Sequence, residues 1–189
     1  DTMLLNRFPS FAPVHFLMEE VIRRTGRCHI PVGSMSWDVP FGRAVEFMRT
    51  LPVTVLATLP FEMVMLREAG RELGIDIVKE LGSLKAVLLG GAVLPPAFKR
   101  WITEVWNVRV IEIYGSNETM LLGIGCTEGG LHLATELFEH ELLDPTTMQP
   151  VPAGSPGVLT ITSLAHDVMP LVRYVTGDLI EMSATPCAC

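Results

Sequence analysis

Lys85-Ala86-Val87-Leu88-Leu89 runs directly into Gly90-Gly91-Ala92, and Arg109-Val110-Ile111-Glu112-Ile113 runs directly into Tyr114-Gly115-Ser116-Asn117-Glu118. Both are apolar runs of strand length ended by glycine. Between them Pro95 and Pro96 stand where a helix begins, and Phe98, Trp101, Ile102 and Val105 recur at the spacing of a buried helical stripe. A strand, a helix and a second strand of this length imply a crossover connection, which makes the two strands parallel.

The same alternation extends upstream. Val14, Leu17, Met18, Val21 and Ile22 predict one helical face ended by Gly26, and Cys28 to Gly33 reads as a short strand. Asp38 is placed to cap a helix carrying Phe41, Ala44, Val45 and Met48, followed by a strand from Val53 to Leu59. A helix from about Phe61 to Leu73 and a short segment from Ile75 to Leu81 lead back to Lys85. The expectation is an α/β fold, a doubly wound and mostly parallel sheet with flanking helices, over residues 1–120.

After residue 122 the texture changes. Gly123, Gly125, Gly129 and Gly130 cluster, and Leu131–Leu137, Glu141–Leu143, Gly157–Ser163 and Pro170–Val175 are short and strand-like. Asp144-Pro145-Thr146-Thr147 and Pro152-Ala153-Gly154-Ser155-Pro156-Gly157 carry turn chemistry between them. Residues 121–189 are therefore expected to form a small β-rich subdomain.

Composition excludes several partners. Net charge is −7, and the three lysines (Lys79, Lys85, Lys99) and scattered arginines form no basic stripe, which argues against nucleic acid. No apolar run approaches the roughly 18 residues of a membrane span and no signal-peptide pattern opens the chain, so no membrane partner and a cytoplasmic location are expected. Four cysteines are too few for a disulfide scaffold in 189 residues. The chain opens on Asp1 and stops after Ala184-Thr185-Pro186-Cys187-Ala188-Cys189, and is read as a central fragment.

In an open parallel sheet, ligands sit beyond the carboxyl ends of the strands. The glycines after Leu89 fit either a plain turn or a close backbone approach to a ligand. The second strand end adds an aromatic ring, a hydroxyl, an amide and a carboxylate. A third element, Arg173-Tyr174-Val175-Thr176-Gly177-Asp178, puts an acid just past an expected strand, suited to a pair of ribose hydroxyls.

In this order and spacing the three elements resemble the adenylate-forming superfamily of acyl-CoA synthetases, adenylation domains and luciferases. Leu84 to Ala92, Tyr114 to Glu118, Gly130-Leu131-His132-Leu133, Glu141 to Thr146 and Met169 to Tyr174 look most like phenylacetate-CoA ligases. The resemblance implies that Gly90, Gly91 and Ala92 lie along adenine and acyl group, that Tyr114 stacks on the adenine ring, that Glu112 approaches its amino group, and that Gly115 belongs to the nucleotide site. It implies that Ser116 and Asn117 face the α-phosphate, with Asn117 and Glu118 catalytic, that Glu118 holds Mg²⁺, and that Asp178 binds the ribose. ATP or AMP, a carboxylic acid and coenzyme A are the implied partners, with a homodimer in the full-length parent.

Two residues depart from the family: Asn117 stands where a Thr or Ser is usual, and Val175 where a basic residue is usual. No Ser/Thr/Gly-rich loop with a lysine is present to grip the outer phosphates, and the hinge Arg and the catalytic Lys of the family's C-terminal domain are not found either. The isolated chain is accordingly expected not to turn over. A nucleotide-binding homologue without ligase activity, and an enzyme loading a carrier-protein thiol, stand beside the ligase reading. A dinucleotide-dependent oxidoreductase is disfavoured by the lack of G-x-G-x-x-G.

Cys126, His132, Cys187 and Cys189 could supply four ligands to a structural Zn²⁺, or be free thiols beside an ordinary strand histidine. His15, near the start of the first helix, is where the family lines its acyl pocket, although a single histidine on a helix is more often structural or partly exposed. His29, His140 and His166 have no partners evident in the sequence, and Met18, Met48, Met63 and Met65 are expected in the core.

Overall fold

Leu5, Leu56, Val87 and Val110 stand side by side across four neighbouring strands, and all four are buried in one apolar layer. Their neighbours in sequence, Leu4, Ala57 and Leu88, turn to the opposite layer. This alternation is the two-residue period of a strand covered on both faces. The computed structural model describes residues 2–152, 154–165 and 167–189; Asp1, Ala153 and His166 lie outside the described residues.

The chain divides into two units, Asp1–Gly125 and Cys126–Cys189. In the first, strands β1 (Met3–Asn6), β2 (Cys28–Pro31), β3 (Val55–Thr58), β4 (Ala86–Leu89) and β5 (Arg109–Tyr114) are parallel, in the order β2-β1-β3-β4-β5. A short β6 (Gly123–Gly125) runs antiparallel beside β5. Helices α2 (Phe41–Thr50), α3 (Glu62–Glu72) and α5 (Pro96–Trp106) pack their apolar stripes on one face, and α1 (Pro13–Arg24) packs on the other. The short α4 (Ile77–Glu80) is capped by Asp76, whose carboxylate accepts from the N–H groups of Val78 and Lys79.

The second unit contains the three-residue β7 (Leu131–Leu133) and an antiparallel sheet of β8 (Phe138–Leu143), β9 (Pro156–Ser163) and β10 (Tyr174–Glu181), with β9 in the middle. Phe138, Leu143, Val158, Leu159 and Ile161 are its buried apolar residues. Among the described residues, no helix is long and apolar enough to cross a membrane.

Several expectations require correction. Asp38 does not cap α2: Pro40 holds that position, and the backbone oxygen of Asp38 accepts from Arg43 instead. Val21, at 45% exposure, leaves the buried face of α1, which is carried by His15 and Met18, and Met65 is exposed on α3. The strand expected at Pro170–Val175 begins only at Tyr174 and continues to Glu181, so Asp178 lies within β10 rather than beyond it. A shift in register between Val175 and Leu179, with Gly177 at φ 85°, marks a bulge at that place. Leu131–Leu137 forms a strand only to Leu133, because Ala134–Leu137 closes a turn in which Leu137 and Phe138 donate to the Ala134 carbonyl.

Candidate functional site

The carboxyl ends of β4 and β5 lie next to each other in register, Leu89 opposite Glu112. Glycine is required where they meet. A Cβ on Gly90 would stand 3.0 Å from the Ile113 carbonyl oxygen, and Gly91 adopts φ 78°. Past β5, a Cβ on Gly115 would stand 1.9 Å from the Met120 carbonyl oxygen. The chain there folds into a tight loop: Met120 N–H donates to Ser116 O at 2.8 Å, and Leu122 N–H donates to Tyr114 O at 2.8 Å. Ser116 N–H donates to Thr119 Oγ1 at 3.1 Å, so the buried Thr119 ties down the start of the loop.

This loop leaves Ser116, Asn117 and Glu118 exposed. A hydrogen bond from Ser116, and then the N–H of Glu118 itself, hold the Glu118 carboxyl below the ordinary carboxylate range. An ionised, accessible carboxylate beside a hydroxyl and an amide suits a hard divalent cation and phosphate oxygens. Glu112 carries a partner that periodicity did not reveal: Lys99 Nζ, on α5, lies 2.6 Å from Glu112 Oε1. That ion pair engages one carboxylate oxygen and fixes the orientation of the other.

A polar cluster at the ends of β1 and β3, where the strand order reverses, was also hidden in the sequence. Arg7 is fully buried and donates to Glu62 at 3.1 and 3.3 Å, while the Thr58 hydroxyl donates to the same carboxylate. The Phe41 ring centroid lies 5.1 Å from the guanidinium carbon. Asn6, also fully buried, directs its amide to the His15 carbonyl at 3.3 Å and to His29 Nε2 at 3.2 Å. His15 itself is buried with Nδ1 3.0 Å from the Phe8 carbonyl oxygen, a contact that locks the turn into α1. Because the Asn6–His29 and Arg7–Glu62 pairs span 23 and 55 residues, no local pattern announces them.

The second unit gathers the four residues anticipated as soft ligands. Cys126 Sγ lies 3.6 Å from Cys187 Sγ, Cys189 Sγ lies 3.4 Å from His132 Nε2, and all four ligand atoms fall within 4.8 Å of one another. Burial works against ionising Cys126, but hydrogen bonds from His132, the Glu128 N–H, Cys187 and the Gly130 N–H outweigh it and bring the thiol down to about 6. Hydrogen bonds with Cys187 and Cys126 push Cys189 up to about 11.

On β10 the Asp178 N–H donates to Thr176 Oγ1 at 3.1 Å, and the Thr176 hydroxyl donates to the Leu159 carbonyl at 3.0 Å, so the bulge is anchored to β9. Arg173, just before the strand, donates to both oxygens of Glu141 at 3.0 and 3.1 Å.

Residues 7–169 match the family model described as AMP-binding enzyme. The chain belongs to that family. Its curated relatives include the phenylacetate-coenzyme A ligase of Thermus thermophilus, 33% identical over 78% of this chain and 34% of the relative. That of Pseudomonas putida is 28% identical over 74% and 32%. The chain thus spans about a third of the length of these relatives. Among solved structures, 2-hydroxyisobutyryl-CoA ligase in an open conformation with 2-HIB-AMP and CoA superposes with TM-score 0.88 at 21% identity, over 96% of this chain and 40% of that one. ATP-bound MatB from Rhodopseudomonas palustris gives TM-score 0.71 at 17% identity, over 97% and 38%. These likenesses establish that the chain shares the fold of those proteins.

Proposed function

We propose that the chain is the adenosine and α-phosphate portion of an ATP-dependent acid-CoA ligase acting in the cytoplasm on an aryl or small carboxylic acid. The single observation that carries this reading is the Tyr114–Glu118 loop, held tight by Gly115 and Thr119, which leaves the α-phosphate residues exposed beside an ionised carboxylate. In this reading Gly90, Gly91 and Ala92 form the floor under adenine, Tyr114 covers it, and the free oxygen of Glu112 accepts from its amino group. Asp178 accepts from the ribose hydroxyls, supported by its place on an anchored bulge.

The acid's carboxylate attacks the α-phosphorus of ATP, pyrophosphate leaves, and an acyl adenylate forms. The thiol of coenzyme A then attacks the acyl carbon and releases AMP. Ser116 and Asn117 orient the α-phosphate oxygens by hydrogen bonding as charge builds on them. Glu118 is the residue that would hold Mg²⁺, which when bound offsets the phosphate charge.

The isolated 189 residues are proposed to bind AMP without completing the ligation. The test is carboxylate-dependent pyrophosphate release by a longer chain carrying both flanks, alongside AMP titration of the 189-residue chain. Release with one or more aryl or short acids is expected. No release with any acid, while AMP still binds, would favour a nucleotide-binding homologue. Release without transfer to coenzyme A would favour a carrier-protein thiol as acceptor.

A further inference from the structure

We propose that Cys126, His132, Cys187 and Cys189 form a closed structural zinc site that ties the segment after β10 to the turn leading into β7. The distances fit a metal rather than a disulfide or a chance gathering of thiols. With Zn–S near 2.3 Å and Zn–N near 2.05 Å, a tetrahedron requires S···S of about 3.8 Å and S···N of about 3.6 Å. The structure has 3.6 Å between Cys126 and Cys187 and 3.4 Å between Cys189 and His132. A disulfide would need its sulfurs at about 2.0 Å.

Local structure on both sides of the cluster supports this geometry. Cys126 N–H donates to the Gly130 carbonyl at 2.8 Å and Gly129 N–H to the Cys126 carbonyl at 3.2 Å, with Gly129 at φ 83°. The turn so formed brings His132 back beside Cys126. On the other side the Ser183 hydroxyl donates to the Thr185 carbonyl at 3.0 Å, curling the segment that delivers Cys187 and Cys189.

Gly130 sits against three of the ligands. A Cβ there would meet Cys187 Sγ at 3.3 Å, Cys126 Sγ at 3.6 Å and His132 Nε2 at 3.6 Å. A larger side chain at this position would therefore disturb the ligands without removing one.

Three thiolates and an imidazole favour Zn²⁺ over Mg²⁺ or Ca²⁺, which take oxygen ligands. Four protein ligands leave no position for water or substrate, so the role is structural. The consequence for the molecule is a link between residues 61 apart in sequence, in a unit built on a small three-stranded sheet. It also anchors the exit of β10, the strand that bears Asp178.

The test uses the 189-residue chain purified without chelator. Zinc by elemental analysis is expected at about one per chain after gel filtration. Replacement by Co²⁺ should give the visible bands of a tetrahedral thiolate complex together with sulfur-to-metal charge transfer. Cys187→Ser and His132→Ala should each abolish stoichiometric retention, Gly130→Val should weaken it, and Cys28→Ser should leave it unchanged. The cobalt spectrum of the unaltered chain decides the matter even if a ligand variant fails to fold. A weak octahedral cobalt spectrum, four thiols that stay freely reactive in the presence of added zinc, or a Cys126–Cys187 disulfide found by mass would overturn the proposal.

Discussion

Replacing Gly115 with Ala inserts a methyl group where the Met120 carbonyl oxygen is only 1.9 Å away and its carbon 2.9 Å away. Carbon and carbonyl oxygen come no closer than about 3.3 Å without repulsion, so the two backbone segments must separate by about 1.4 Å. Neither is the end of a flexible side chain. Relief therefore strains or breaks the bonds that close the loop, Met120 N–H to Ser116 O and Leu122 N–H to Tyr114 O. Each contributes about 0.5–1.5 kcal/mol, giving a loss of roughly 1–3 kcal/mol in unfolding free energy. The functional effect should be of comparable size, since a shift of about 1 Å in a positioning group can cost about 100-fold, or about 2.7 kcal/mol. Urea unfolding followed by tryptophan fluorescence suits this variant because Trp37, Trp101 and Trp106 all belong to the first unit. AMP affinity by calorimetry gives the second readout, and Gly90→Ala, with its gentler 3.0 Å contact, should fall between the two proteins in both. A Gly115→Ala chain that unfolds at the same urea concentration and binds AMP as the parent does would refute the reasoning.

Removing either partner of the buried Arg7–Glu62 pair should destabilise the first unit by about 3–5 kcal/mol, whereas Arg7→Met with Glu62→Leu should recover most of that loss. Additive effects in this double-mutant cycle would show that the pair is not coupled. Glu112→Ala should lower AMP affinity by about tenfold and erase any preference for AMP over IMP, which lacks the adenine amino group; an unchanged preference would remove Glu112 from the adenine site. Burial, reinforced by the nearby His15 and only partly opposed by Glu19, lowers the His29 pKa from 6.5. The unfolded chain therefore takes up a proton first as pH falls, so this contribution to stability is full above pH 6.5 and is lost as pH drops from 6.5 through the folded value. An NMR titration of the His29 ring with a midpoint at or above 6.5 would contradict the burial.

Sequence alone determined the alternating architecture because strand and helix periods are local properties. Val87, Leu89, Ile102 and Val105 need only their own neighbours to declare a core-facing side, and Gly90, Gly91 and Gly115 declare sharp strand ends. The motifs that resemble those of adenylate-forming enzymes were legible for a similar reason, being short and contiguous, although only the first two follow a strand and Arg173–Asp178 runs into β10. The strand β1 was not read from the sequence, and yet it occupies the sheet interior between β2 and β3.

What only the tertiary structure decided are the partnerships between distant residues. Lys99 with Glu112, Arg7 with Glu62 and Asn6 with His29 depend on which strand ends and helices the crossovers bring together, and spacing along the chain carries no record of that. The cysteine and histidine set lies between these cases. Residue types nominated it, but whether the thiol and imidazole flanking Gly130 and the two thiols of Cys187 and Cys189 are neighbours depends on how turns and β10 fold back, and convergence within 4.8 Å is a fact of the folded unit. Asp178 shows the same division: its type and motif were plain in sequence, while the bulge that presents it arises from a register shift against β9.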